Sequence, residues 1–172
     1  HTFQWLLQKV VDIHGLKMEY SYFQDSNQIY IQNISYAFFT DASALYRVFF
    51  SYYEKQSGVA SYRTGFAVRT NFLLKEILIE QNLYGIWNTR KKYILSYASL
   101  TEPLSKLSSV IVQAEGIDEP SLEFHYGGSN LIDRVKNNKG GELSFLYKKS
   151  SAYIEDVCER NILPSAVWTL HK

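Results

Sequence analysis

A tyrosine two positions after an apolar or aromatic residue recurs along the whole chain, each time shortly before a turn signal. Residues two apart on a β-strand share one face of the sheet, so each copy places two bulky side chains next to each other. The pattern therefore predicts a chain built mainly from β-strands. The six copies are Tyr20-Ser21-Tyr22, Ile34-Ser35-Tyr36, Phe50-Ser51-Tyr52, Leu95-Ser96-Tyr97, Phe124-His125-Tyr126 and Phe145-Leu146-Tyr147.

Alternating apolar and polar runs predict consecutive antiparallel hairpins. The first two runs, 5–11 and 16–23, flank Asp12-Ile13-His14-Gly15, where glycine can supply the positive φ of a tight turn. The stretch 61–70 alternates around Gly65 and predicts a strand interrupted by a bulge or a close backbone approach. Further strands are expected at 28–39, 44–53, 72–80, 92–98, 107–113, 121–126, 130–135, 142–147 and 167–170, with a turn at 56–58, a longer connection at 82–89 and room for one helical turn in 150–160.

Composition supports this all-β reading. Tyrosine and phenylalanine number 14 and 10 against 3 prolines, and aromatic residues pack well on pleated surfaces. At 172 residues and 46% hydrophobic content, the chain is expected to bury a real core, and the strand at 44–53, with aromatic residues on both faces, is expected to be covered on both sides. We predict an antiparallel, strongly twisted and curved sheet.

The charge of the chain argues against two classes of partner. Eighteen basic and 17 acidic residues leave a formal net charge of +1, so there is no long-range field to attract nucleic acid or anionic lipid. The clusters Arg90-Lys91-Lys92 and Lys148-Lys149 are expected to be solvated strand ends or edges. No run approaches the roughly 18 apolar residues of a membrane helix, and the chain, which begins His1-Thr2-Phe3, is interpreted as a fragment.

Residues able to carry catalysis are few. Nucleophilic chemistry would have to involve His14, His125 or Cys158. His14 falls in a turn, His125 faces away from its aromatic neighbours, and Cys158 sits between acidic residues that disfavour a thiolate. The single cysteine excludes an internal disulfide, and no Cys/His cluster has zinc spacing. We expect no catalytic, cofactor-binding or metal-binding residue, no cofactor and no enzyme activity.

One block of the sequence resembles the SpvB and insecticidal toxin-complex (Tc) B component family. The turn through Asp12 and Gly15, followed by Tyr20-Ser21-Tyr22, is similar to the family's "Asp-x-x-Gly-Asn … Tyr-x-Tyr" hairpin, with Leu16 in place of the usual asparagine. The more specific match is 62–70, which is similar to "Tyr/Phe-Arg-x-Gly-Phe-x-Val-Arg-Thr". Its matching residues include Tyr62, Arg63, Gly65, Phe66 and Arg69.

A second block is similar to the middle region of the same family. Asn137, Gly140 and Gly141 match the hairpin "Asn-Gly-Leu-Gly-Gly", although Asn138-Lys139 replaces Gly-Leu. Tyr147 opens a match to "Tyr-x-x-Ser-Ser-x-Tyr", and Pro164 and Trp168 match "Leu-Pro-x-x-x-Trp". The resemblance divides the chain into an SpvB-like β domain (1–126), a Gly-Gly-Ser junction (127–129) and a middle-region-like hairpin and tail (130–172) packing on the same sheet. Members of the family carry a β-propeller between the blocks; here either it is absent or a linker replaced it.

What the resemblance implies is a non-catalytic structural segment of a secreted bacterial toxin or virulence protein. In toxin complexes, the B and C components form a hollow shell of β-strips around the cytotoxic part of the C component. The implied partners are other segments of the same toxin polypeptide and a C-component-like toxin subunit, with no nucleic acid and no direct membrane insertion. The ADP-ribosyltransferase of SpvB lies in a separate domain and needs a Glu-x-Glu pair, which this chain lacks.

A secreted carbohydrate-binding β module remains an alternative from a different class. Exposed aromatic rings such as Trp87 and Trp168 would stack on sugars in that case. With 14 tyrosines spread through the chain, most aromatic residues are expected to cover sheet surfaces. Glycan binding by the chain that is abolished in Trp87→Ala would count against a role as a scaffold alone.

Overall fold

The computed structural model describes residues 4–40, 43–115, 117–128, 130–149 and 168–171, and every regular element among them is a β-strand. The all-β prediction is confirmed. The chain divides into two compact units, His1–Ser121 and Leu122–Lys172. The strands are β1 Lys9–Val11, β2 Lys17–Asp25, β3 Gln28–Thr40, β4 Ser43–Ser61, β5 Val68–Leu83, β6 Ile86–Tyr97, β7 Leu107–Ala114, β8 Ile117–Asp118, β9 Leu122–Tyr126, β10 Ile132–Asn137, β11 Glu142–Ser144, β12 Leu146–Lys149 and β13 Trp168–His171.

The first unit is an antiparallel meander. Strands β1 to β7 lie side by side in chain order, and β8 pairs with the end of β7. Register shifts interrupt the pairing at Ser21/Tyr22, Ser51/Tyr52 and Ser96/Tyr97, which are the serine-tyrosine steps of three copies of the repeated motif. Because an extra residue on one strand bends it and increases its twist, these shifts curve the sheet. The predicted curved sheet of consecutive hairpins is confirmed.

The second unit contains two small antiparallel groups. Strands β9, β10 and β11 form a meander, and β12 pairs with β13. The expected strand at 167–170 corresponds to β13, whereas the possible helical turn in 150–160 lies outside the described residues.

Three connections differ from those expected from the sequence. Within 61–70, residues 62–67 form a turn between β4 and β5 rather than a bulged strand, because Gly65 adopts φ +82° and donates its N–H to the carbonyl of Tyr62 at 3.0 Å. The turn expected at 56–58 is instead an irregularity within a single long β4, where the pairing skips from Glu54 to Val59. The expected connection at 82–89 shrinks to Tyr84-Gly85, since β5 and β6 pair up to Leu83 and Ile86.

The expectation of a sizeable core is wrong. Of the described apolar residues, only Tyr30 and Ala44 are buried, and no described side chain is fully buried. All eight residues of β7 are half-buried rather than alternating between buried and exposed, and Phe49 in β4 remains 40% exposed. A sheet packed against a second layer would bury one face, so the described residues of the first unit provide no second layer over these strands. The prediction that β4 is covered on both sides fails for the same reason.

The register assigns the side chains of β2 to β6 to two faces, because directly paired residues point the same way. The aromatic face carries half-buried apolar and aromatic side chains: Tyr20, Ile34, Tyr36, Tyr46, Val48, Phe50, Ile77, Ile79 and Tyr93. The charged face carries Glu19, Ser35, Arg47, Glu76, Glu80 and Lys92, with Phe49 and Leu78 among them.

Candidate functional surfaces

Tyrosine hydroxyls bond to main-chain carbonyls at the places where neighbouring strands part. Tyr52 donates to the carbonyl of Ile31 at 2.6 Å, just beyond the last β3–β4 pair. Tyr97 donates to the carbonyl of Leu74 at 2.9 Å, beyond the β5–β6 ladder. A strand that leaves its partner exposes carbonyl groups that need new donors. The tyrosine at the third position of the repeated motif supplies that donor in these two copies, and Tyr22 does the same for Leu7 at 2.9 Å.

Four aromatic rings form a cluster where the β2–β3 hairpin meets β4 and β5. Phe23 and Tyr30 stack with centroids 5.1 Å apart, and Tyr52 and Phe72 contact both at 5.4 to 5.6 Å in edge-on geometry. The Tyr30 hydroxyl also accepts the N–H of Asn71 at 3.0 Å and of Phe72 at 3.3 Å. Edge-to-face pairs each add about 0.5–1.5 kcal/mol beyond the area they bury. The cluster includes Tyr30, one of the two buried apolar residues among those that the structure describes.

The same hairpin is fastened to β5 by its turn. Asn71 donates to the carboxylate of Asp25 at 2.6 Å and to the hydroxyl of Ser26 at 3.0 Å. The N–H of Arg69 bonds to the carbonyl of Ser26 at 3.0 Å, and the side chain of Asn27 bonds to the carbonyl of Ala67 at 2.9 Å. These bonds hold the β2–β3 turn against the start of β5.

Burial shifts the titration of two motif tyrosines. Desolvation raises the pKa of Tyr52 above its usual value, and the neighbouring Tyr30 adds to the effect. Desolvation likewise raises the pKa of Tyr97, with a further contribution from Tyr53. Both phenols therefore remain neutral hydrogen-bond donors well above neutral pH.

Two motif turns have the same hydrogen-bonding pattern. In the first, Oδ1 of Asp12 accepts the N–H of His14 and of Leu16, each at 2.8 Å, and Gly15 has φ +80°. In the second, Oδ1 of Asn137 accepts the N–H of residues 139 and 141 at 3.1 and 2.7 Å, and Gly140 has φ +87°. The acidic or amide side chain caps the turn, and glycine supplies the left-handed backbone.

Glycine is needed for a second reason at the Asn137 turn. A Cβ on Gly141 would lie 2.7 Å from Nδ2 of Asn137.

The neighbouring Glu142 accepts a hydrogen bond from Lys136, and this bond, opposed by a smaller desolvation effect, lowers the pKa of the Glu142 carboxyl.

The other block of matched residues lies at the β4–β5 connection. Tyr62, Arg63 and Phe66 are exposed there, with Tyr62 at 67%. The side chain of Arg69 is also exposed, and this residue contributes to the fold through its N–H. These residues form a turn surface rather than a pocket.

The remaining matched positions lie in the second unit. Tyr147 is in β12 and pairs with Leu170, and Trp168 pairs with Lys149. Pro164 lies outside the described residues. The Gly127-Gly128 pair begins a hydrogen-bonded turn between β9 and β10, in which Gly127 bonds to Leu131 and Asn130, both at 3.0 Å. The role of 127–129 as a domain junction stays a prediction.

The charged face contains two ion pairs between β4, β5 and β6. Nε of Arg47 lies 2.5 Å from the Glu80 carboxylate, whose side chain is only 11% exposed. The Arg47 guanidinium also stacks on the Trp87 ring at 4.2 Å from the centroid. A second pair, Lys92 with Glu76 at 2.9 Å, lies further along β5 and β6. Arg47 thus covers one side of the Trp87 ring, which reduces the ring surface on which a sugar could stack in the carbohydrate-binding alternative.

The candidate catalytic residues are not brought together. His14 is an exposed turn residue, and His125 lies in β9 opposite Arg134. Nε2 of His125 is shielded from solvent without a hydrogen-bond partner, as is Oδ1 of Asp133. Cys158 lies outside the described residues. Among the residues that the structure describes, no group of three His, Cys, Asp or Glu could hold a metal ion, and no helix could span a membrane.

Sequence comparison finds no relative of the chain, since no protein-family model and no curated protein sequence matches it. Its fold, however, matches solved structures. The N-terminal domain of the effector protein SpvB from Salmonella typhimurium strain LT2 superposes with a TM-score of 0.60 at 18% identity, over 66% of this chain and 52% of that one. A TcdB2-TccC3 structure matches with a TM-score of 0.59 at 18% identity, over 71% of this chain and 9% of that one. A Tc holotoxin pore from Photorhabdus luminescens matches with 0.58 at 18%, over 71% and 8%.

These likenesses define the class of fold. The chain has the all-β architecture found in the SpvB N-terminal domain and in Tc toxin components. It spans about half of the SpvB domain and less than a tenth of the toxin-complex chains that it matches.

Proposed function

We propose that this chain is a non-catalytic structural segment of a bacterial toxin or virulence protein, similar to the SpvB-like part of a Tc toxin B component. The observation that carries the proposal is the open aromatic face of β2 to β6. A sheet that exposes rows of half-buried tyrosine, isoleucine and valine side chains is suited to contact another polypeptide. The toxin-like fold and the matched turns at Asp12 and Asn137 support the same assignment.

The proposed role is to form part of a shell that encloses and helps deliver a cytotoxic domain, outside the producing cell. Its partners are other segments of the same toxin polypeptide and a C-component-like subunit such as TccC3, which accompanies TcdB2 in the matched structure. Any enzymatic activity of the toxin belongs to a different domain. The physical basis is that a curved sheet can wall off a cavity while its apolar side packs against neighbouring segments.

Co-expression with a TccC3-like subunit tests this proposal. We expect the two chains to co-purify and Val48→Glu, on the aromatic face, to abolish the interaction. Ser35→Glu is the matched control, because it places the same charge on the adjacent strand but on the charged face. Absence of co-purification by the wild-type chain, or equal loss in both variants, would contradict the proposal. Circular dichroism of each variant verifies that the sheet is intact.

A further inference from the structure

The two-residue turn at the tip of the β5–β6 hairpin has an unusual residue, tyrosine, at its first position. Tyr84 and Gly85 both have positive φ, +54° and +85°, which is the geometry of a type I′ turn. Such turns favour asparagine, aspartate or glycine at the first position, because bulky residues are strained there. The β2–β3 turn has the same two-residue geometry and uses Ser26-Asn27. Tyr84 is thus a costly choice for the fold of the hairpin.

Packing against the described part of the chain does not explain this choice. Tyr84 is fully exposed, and its neighbours Leu83 and Ile86 are 38% and 67% exposed. Turn tips of soluble proteins usually carry polar residues, so an apolar tip with a strained tyrosine at its end indicates a contact made with another molecule.

A hollow of about 590 Å³ lies directly beside the tip, where β4 begins and β5 ends. Its apolar walls are Ala44, Leu45 and Leu83, and Tyr84 itself forms one side. The volume falls within the range of about 300–1,000 Å³ typical of protein pockets, which is enough for an aromatic side chain. A projecting ring and a recess that can receive it therefore lie on the same part of the surface.

We propose that Tyr84 and this hollow form a twofold interface between two copies of this chain, in which each Tyr84 enters the hollow of the other copy. A twofold contact uses the same patch on both partners, so the patch must be self-complementary. A charged residue close to the twofold axis would meet its own copy and repel it, and none of the residues that line the hollow is charged. An interface built around one aromatic side chain and one hollow on each copy would be small, and therefore weak and concentration-dependent.

The test is sedimentation velocity of the full 172-residue chain over a concentration series. We expect the wild-type chain to dimerise and Tyr84→Asn to weaken dimerisation about tenfold or more, as loss of a central aromatic contact does. Because asparagine suits the left-handed position, the same variant should melt at a higher temperature than wild type. Tyr62→Asn removes an exposed tyrosine from another turn and should dimerise like wild type.

A charge exchange tests the twofold geometry itself. Tyr84→Asp and Tyr84→Lys should each be monomeric, because each variant loses the ring and places like charges near the axis, whereas an equimolar mixture at low salt should associate more strongly than either variant alone. A wild-type chain that stays monomeric throughout the series, undiminished dimerisation of Tyr84→Asn, or a mixture that associates no more strongly than its components would overturn the inference. Tyr84-dependent flotation with phosphatidylcholine vesicles in the absence of dimerisation would overturn it in favour of a membrane contact.

Discussion

The phenolic oxygen of Tyr52 lies 2.6 Å from the main-chain carbonyl oxygen of Ile31, to which it donates a hydrogen bond. This contact joins β4 to β3 immediately after the two strands stop pairing, and the register shift of β4 against β5 falls at the same tyrosine. Tyr97 has the same relationship to Leu74. In these copies of the repeated motif, the tyrosine therefore satisfies a carbonyl left behind where a ladder ends.

Tyr52→Phe tests this role, since it keeps the ring in the aromatic cluster and removes only the donor. We expect a loss of about 1–2 kcal/mol in the free energy of unfolding, measured by urea denaturation, because a partly buried carbonyl loses its partner. Tyr62→Phe, at an exposed turn, should change the free energy by less than about 0.5 kcal/mol. Equal effects of the two substitutions would argue against the carbonyl-capping role.

Alkaline pH should destabilise the sheet through Tyr52 and Tyr97. Their folded-state pKa values lie above the ordinary value, and the main cause is burial, which desolvates the phenolate. Stability from these groups is therefore fully present below the unfolded-chain pKa of about 10 and is lost as the pH rises through the folded-state values. Chemical denaturation between pH 8 and 11 should show this fall, and the double variant Tyr52→Phe/Tyr97→Phe should flatten it. An unchanged slope in the double variant would be inconsistent with these assignments.

The capped turn at Asp12 predicts a difference between two conservative substitutions. Asp12→Ala removes the acceptor of two N–H groups and should cost about 1 kcal/mol, the usual loss for such side-chain caps. Asp12→Asn keeps an oxygen acceptor and should cost far less, as the natural Asn137 turn indicates. Thermal unfolding followed by circular dichroism measures both, and equal losses would show that the cap contributes little.

The Arg47–Glu80 pair should stabilise the sheet more than the surface pair Lys9–Glu19. Glu80→Gln leaves the stacked Arg47 guanidinium without its counter-charge in a partly buried site, and we expect a loss of about 1–3 kcal/mol. Glu19→Gln breaks a 3.9 Å pair whose side chains are about half exposed, and should cost under about 0.5 kcal/mol. Urea titrations at low and high salt compare the two, and a larger effect for Glu19→Gln would contradict the burial argument.

Local chemistry explains which parts of the fold were predictable from the sequence. The Asp12 and Asn137 turns and most strand positions follow from short-range patterns, because turn residues and alternation act within a few positions. The strand predicted at 61–70 is wrong because the alternation of apolar and polar residues continues through the turn that contains Gly65. Pairing register depends on the partner strand, so the coincidence of Ser51/Tyr52 with a register shift has no local signal.

The candidate surfaces were less predictable for a related reason. Composition counts apolar residues but does not reveal whether a second layer covers them, so a core was expected where Tyr36 and Tyr46 in fact stack on an open face. The acceptors of the tyrosine hydroxyls are main-chain carbonyls, which every residue carries, and sequence alone cannot select among them. The position of Tyr84 in a two-residue turn was likewise hidden within the broad connection expected at 82–89.

Hydroxyl-radical footprinting of the chain, alone and bound to a TccC3-like subunit, tests the proposed scaffold role most directly. The account predicts that Tyr20, Tyr36 and Tyr46 on the aromatic face become protected in the complex, while Phe49 on the charged face keeps its reactivity. Unchanged reactivity of these tyrosines, or protection of Phe49 alone, would contradict the claim that the aromatic face is the working surface of this chain.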